Sequence, residues 1–181
     1  MDKINVYRIV LGHLDSMRDA STGAISRENL AVFFALPVVL SLLGWYMEWR
    51  LYVDSLNALL AAFSIFAGLL LNLLILIYTF SSEASHPSAL ARVRKIFVRE
   101  LHNNISFSIL SSTAIVVTAL IGIAQLKMHD AGGATPFTGP VLTGILVYLT
   151  ANFVLTLLMI LKRIHSLLSS EIEKPSALKA S

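Results

Sequence analysis

Cysteine is absent from this chain of 181 residues, which excludes a disulfide framework and any site built on thiolate ligands. Charge is sparse: 14% of residues are charged against 56% hydrophobic, with a mean hydropathy of +0.74. Those values exclude a soluble domain and describe a polytopic membrane protein. No Asp, Glu, Lys or Arg lies in the middle of any long apolar run, which weighs against proton-coupled transport, where an intramembrane carboxylate is the usual carrier. The five histidines, His13, His86, His102, His129 and His165, fall in five segments without metal-ligand spacing, and HExxH, Walker and nucleophile-elbow patterns are missing. No metal, cofactor or catalytic residue is therefore expected, and an enzyme is the weakest class of function. Residues 1–29 lack the apolar h-region of a cleaved signal peptide, so the first span is expected to act as the insertion signal.

Four apolar runs are present, at about 30–49, 55–80, 104–126 and 141–161. The expected fold is all-α, a transmembrane domain of four helices over 30–161. An amphipathic segment precedes it over 1–29, a basic helix joins spans two and three, and a tail follows over 162–181. The second run, Ser55 to Phe80, has no charged residue and exceeds the roughly 20 residues a helix needs to cross a bilayer. Its polar and small residues are aligned. Asn57, Ala61, Ser64, Gly68, Asn72 and Thr79 fall within roughly an 80° arc at about 100° per residue. The third run repeats the pattern: Asn104, Ser108, Ser111, Thr118, Gly122 and Gln125 occupy about a 100° arc. Lipid tails offer Asn no hydrogen-bond partner, so each stripe must face protein or water. Two uses compete. As glue, such residues bond across helices for roughly 0.6–2 kcal/mol each; as a pore lining, they give a neutral, wettable wall. Four helices of one subunit are too few to enclose a water path and also pack together, so a pore requires several copies.

The flanking segments add detail. Ile4, Tyr7, Val10, Leu11, Leu14 and Met17 repeat at helical spacing, which fits an interfacial helix lying on headgroups or packed under the bundle, or alternatively a docking or gating element. Ser21, Thr22 and Gly23 break it, and Ser26 is an N-cap candidate. Pro37 removes a donor and crowds the Phe33 carbonyl, so a kink is expected, while Pro37, Ser41, Gly44 and Glu48 share the expected packing face. Trp45, Tyr46, Trp49 and Tyr52 form an aromatic cluster of headgroup type, next to the acidic Glu48 and Asp54. Ser85, His86 and Pro87 read as a helix start, from which helix can run directly into the third span. Arg92, Lys95, Arg99 and His102 form its basic stripe. The stripe suits either an ordinary collar that meets anionic lipid or a site for a phosphate-bearing ligand or partner. Gly132, Gly133, Pro136 and Pro140 mark the third connection as a turn, and the tail from Ser169 to Ser181 is expected to be mobile.

Lys and Arg number four before span one, four between spans two and three, four after span four, and one in each remaining connection. That asymmetry puts both termini and the middle connection in the cytoplasm. The absence of a buried glutamate separates the chain from the small multidrug exporters.

With its amphipathic leader, four spans, basic middle helix and the run RELHNNISFSIL over 99–110, the chain resembles small membrane subunits encoded in bacterial antiphage defence operons. The membrane channel of the Hailong system and the four-span subunit of the Kiwa system share that layout. The resemblance implies a tetrameric inner-membrane effector that answers a cytoplasmic signal and depolarises the cell. In the Hailong-like case the signal is an oligonucleotide or nucleotide ligand and Arg92, Lys95 and Arg99 are where it would bind; in the Kiwa-like case it is a soluble protein partner. The expectation is a homo-oligomeric ion channel gated from the cytoplasmic side of the bacterial inner membrane. Asn57, Ser64, Gly68, Asn72 and Thr79 line it, Glu48 and Asp54 favour cations at the outer mouth, and Asn104, Ser108, Ser111, Thr118 and Gln125 form a second polar face. The alternative is a non-conducting scaffold whose stripes are sealed helix contacts and whose basic connection recruits a partner.

Overall fold

The computed structural model describes residues 6–16, 27–82, 89–130 and 138–177. Five helices occupy them: α1 (Val6–Asp15), α2 (Arg27–Tyr46), α3 (Val53–Ser82), α4 (Ala89–Asp130) and α5 (Pro140–Ala177). Three stretches are long and apolar enough to cross a membrane, Val53–Thr79, Phe97–Met128 and Pro140–His165, while the apolar stretch of α2, Ala31–Tyr46, is shorter. The helix expected to run into the third span does so: α4 is continuous over 42 residues, from the basic stretch to the far end of its span. Over the stretch read as the tail, α5 continues as helix to Ala177. The N-cap candidate Ser26, the breakers at 21–23, the helix start at 85–87 and the glycines at 132–133 lie outside the described residues.

Packing follows the order α3, α4, α5, α2, with α1 set against α4. Neighbours run antiparallel. On α3, Leu56, Phe63, Leu70 and Ile77 recur every seventh residue, and all four are buried. A seven-residue apolar repeat is the seam that keeps two helices facing each other over several turns. Its partner on α4 carries small residues, Ser108, Ser112, Ala119 and Gly122, all buried, which let the backbones approach. A Cβ at Gly122 would stand 2.7 Å from Leu142 Cδ2 and 3.1 Å from Leu56 Cδ1, so α3 and α5 converge on this point of α4. Phe63 meets Phe153 of α5 edge-on, with ring centroids 5.0 Å apart.

The contact of α2 with α5 is built around a proline. Pro37 is buried within α2 and has no N–H to give the carbonyl four residues earlier. That carbonyl, on Phe33, accepts instead from Asn152 Nδ2 at 3.1 Å. Two turns further along, Ser41 Oγ donates to the Gly144 carbonyl at 2.9 Å. The expected packing face of α2 is thus used at Pro37, Ser41 and Gly44, but Glu48 falls beyond the helix. There Glu48 takes a left-handed backbone (φ 53°) and Trp49 N–H donates to the Gly44 carbonyl at 2.8 Å, a Schellman ending with the φ-positive position filled by glutamate in place of the usual glycine. The chain then crosses to α3 by pairing Leu51 with Thr138: Thr138 N–H donates to the Leu51 carbonyl at 2.9 Å. Trp45, Tyr46 and Tyr52 are exposed around this end, as amphipathic rings at headgroup level would be.

Candidate functional site

The two polar stripes lie in opposite environments. On α3 the buried seam takes one side of the helix, so Asn57, Ser64, Gly68, Asn72 and Thr79, on the other side, are all exposed. Asn57, Ser64 and Asn72 make no hydrogen bond among the described residues. A Cβ at Gly68 would meet nothing within 4 Å. Thr79 Oγ1 donates back to the Leu76 carbonyl at 2.7 Å. On α4, Asn104, Ser108 and Ser111 are buried, Thr118 is half-buried and donates to the Ala114 carbonyl at 2.7 Å, and Gln125 at the far end is exposed. The stripe of α4 is inside the subunit from Asn104 to Ser111 and emerges by Gln125; that of α3 is on the surface throughout.

Of the two acidic residues expected at the outer mouth, Glu48 is bonded to Arg50 at 3.1 Å, and Asp54 is exposed in the first turn of α3. Arg99 and His102 are exposed on α4; the side chains of Arg92 and Lys95, on the same helix, lie outside the described residues. No group of three His, Asp or Glu able to hold a metal ion occurs among the described residues.

A second constellation was not legible in the periodicity. The helix α1 docks on α4 through its small and polar side, while Tyr7 (68% exposed) and Leu11 of its apolar stripe point outward. Gly12 admits Asn103, whose amide nitrogen donates to the Gly12 carbonyl at 3.2 Å. His13, 2% exposed, stacks on Phe107 with centroids 3.9 Å apart and planes 1° from parallel. Its Nδ1 lies 2.9 Å from Asn104 Oδ1; an amide oxygen can only accept, so Nδ1 carries the proton and Nε2 presents a lone pair. Ser16 Oγ is within 2.7 Å of the same oxygen. Arg163 of α5 ties the junction together by donating to the Ser16 carbonyl and to Glu100. Burial above all holds the His13 imidazole down to about 4, with the Arg163 charge adding to the effect and the Asn104 bond opposing it. His13 is therefore neutral at physiological pH. The adjacent pairs Gly12–His13 and Asn103–Asn104 are the signal that could have marked this junction.

Comparison of the chain with protein-family models, with curated proteins and with solved structures finds no match.

Proposed function

We propose that the chain is the subunit of a homo-oligomeric ion channel of the bacterial inner membrane, opened from the cytoplasmic side, in which copies of α3 surround the axis. The observation that carries this reading is the exposed stripe of α3, Asn57 through Thr79, which nothing among the described residues covers. In hydrocarbon such a face is costly, and several copies turned inward around water remove that cost. Four helices that pack in the order α3, α4, α5, α2 leave α3 at one end of the row, where a neighbouring copy can meet it. Closed cyclic symmetry is the usual solution for such assemblies, and a tetramer is the number the defence-subunit resemblance implies.

In this reading α2 is the fourth span, since its 20 residues reach about 30 Å at 1.5 Å per residue. Both termini and the connection between α3 and α4 are then cytoplasmic, as the Lys and Arg distribution requires. Asp54 is the acidic group that favours cations at the outer mouth, because Glu48 is neutralised by Arg50. The basic stretch Arg92, Lys95, Arg99 and His102 takes the phosphate-bearing signal. Continuity of α4 from that stretch to the α1 junction and on through its span gives a rigid element through which the signal can act. The role is that of a membrane effector in antiphage defence.

Reconstitution in liposomes tests the reading. Asn72→Leu should abolish ion flux while the purified protein keeps its oligomeric mass; unchanged flux with retained assembly would rule out α3 as the pore wall. A non-conducting scaffold is the second reading, favoured by Ser64 and Gly68, whose small side chains at i and i+4 also suit a sealed helix contact. It predicts an oligomer without flux in the wild-type protein.

A further inference from the structure

Under α1, and bounded by α1, α2, α4 and α5, lies a cavity of about 270 Å³. Two of the residues that line it, His13 and Asn152, are 2% and 6% exposed, and each has a buried polar atom with no partner among the described residues, His13 Nε2 and Asn152 Oδ1. Both atoms accept, the first because Nδ1 holds the imidazole proton. Most of the remaining wall is apolar, with Phe107 and Leu149 prominent. A groove of about 460 Å³ between α2 and α5 shares Tyr148 and Leu149 with this cavity and continues past Val38 and Ile145 to Trp45 and Pro140. From Asn152 to Pro140 the helix rises about 18 Å at 1.5 Å per residue.

We propose that cavity and groove are one binding site for a neutral single-chain amphiphile with a hydroxyl head, such as a long-chain alcohol. The hydroxyl donates to Asn152 Oδ1 or His13 Nε2, and the chain lies along the α2–α5 groove. At roughly 1.2 Å per bond, about 18 Å accommodates a chain of roughly fifteen bonds. The two acceptors select a donor. A carboxylate head would set lone pairs against both of them and would have only the Ser111 and Tyr148 hydroxyls of the wall as donors, while its charge would be buried. An ammonium head would bring a second positive charge to a junction where Arg163 already acts on His13, and the carboxylate nearby, Glu100, is paired with that arginine. A plain hydrocarbon would leave both buried atoms unmet, the state that hydrogen-bond satisfaction disfavours. Val10 and Leu14 of α1 also line the cavity, so the head group touches the docked leader. The proposal stands whether or not α3 lines a pore.

The test uses the full-length protein in phosphatidylethanolamine–phosphatidylglycerol vesicles and tetradecanol bearing a diazirine beside the hydroxyl. Photolabelling should concentrate on the segments 107–114 and 148–152. Unlabelled tetradecanol should compete about tenfold better than tetradecane or tetradecanoate, the factor that one unmet buried hydrogen bond is worth. Ala114→Phe, which fills the cavity, should lower labelling about tenfold. Labelling spread over the lipid-facing surfaces of α2 and α3, or equal competition by tetradecane, would overturn the proposal. Should Ala114→Phe fail to assemble, the competition series on the wild-type protein decides alone.

Discussion

The stripes of α3 and α4 are nearly the same in composition and period, yet one ends on the surface and the other in the core. What separates them is the rest of each helix. Opposite its stripe α3 carries a strict seven-residue ladder of Leu56, Phe63, Leu70 and Ile77, which packs along α4 and reaches α5 through Phe63 and Phe153. The apolar residues of α4 flank its stripe: Leu101, Ile105, Ile115 and Ala119 are buried beside Asn104, Ser108 and Ser111, and α4 meets α1, α3 and α5. A helix with neighbours on several sides buries its polar face along with the rest. A helix at the end of a row cannot. The lesson is that a polar stripe in a membrane helix reports on its neighbours only when the position of the helix in the bundle is known.

Substituting the same residue type in both stripes should separate their roles most sharply. Asn104→Leu removes the acceptor of His13 Nδ1 and leaves that buried donor unmet, while Ser16 Oγ keeps its bond to the His13 carbonyl at 2.6 Å, at a cost of about 2 kcal/mol. Proteolysis within α1 should accelerate accordingly. Asn72→Leu, on the exposed face, should leave that proteolysis unchanged while ending ion flux; equal damage from both would erase the distinction. The α1 junction also responds to pH. His13 has an ordinary value of 6.5 and sits near 4 when docked, so undocked α1 binds a proton between those values and docked α1 does not. Docking is therefore unaffected above pH 6.5, weakens as pH falls toward 4, and has then lost on the order of 3 kcal/mol. Protection of the α1 amides, taken relative to unfolded peptide at each pH, should fall across that window, and in His13→Phe the fall should vanish.

Smaller effects are expected at the glycines. In Gly122→Ala the new methyl presses on the ends of Leu142 and Leu56, which swing aside at a cost of about 1–2 kcal/mol, read as a lower melting temperature. Gly68→Ala meets open space and should stabilise the helix by about 0.5–1 kcal/mol through backbone entropy. Light scattering gives that substitution a second use. A water-facing Gly68 keeps the oligomer intact as alanine, whereas a sealed helix contact at this position would be pushed apart and the mass would drop.

Much of the architecture could be read from residues alone. Helical content, three of the four expected spans, the unbroken run from the basic stretch into α4 and the packing face around Pro37 all follow from local composition and 3.6-residue periodicity. The α1 junction did not, because its signal runs against pattern: the helix docks through Gly12, His13 and Ser16, residues that a hydropathy wheel assigns to solvent, and leaves Tyr7 outside. Nor does the sequence mark Asn152 as the donor that answers the carbonyl freed by Pro37. That pairing joins residues 119 positions apart, and nothing local to either one announces it.

By itself, then, the amino-acid order determined that this chain is helical, that it belongs in a bilayer and that two of its helices carry an aligned polar face. Those properties depend on neighbours within a turn or two and on transfer from water to hydrocarbon, both of which are local sums. Only the tertiary structure decided which polar face is sealed, where α1 sits, why His13 stays uncharged and which buried acceptors remain unanswered. Each of these depends on which distant helix stands alongside, and that is a matter of packing geometry.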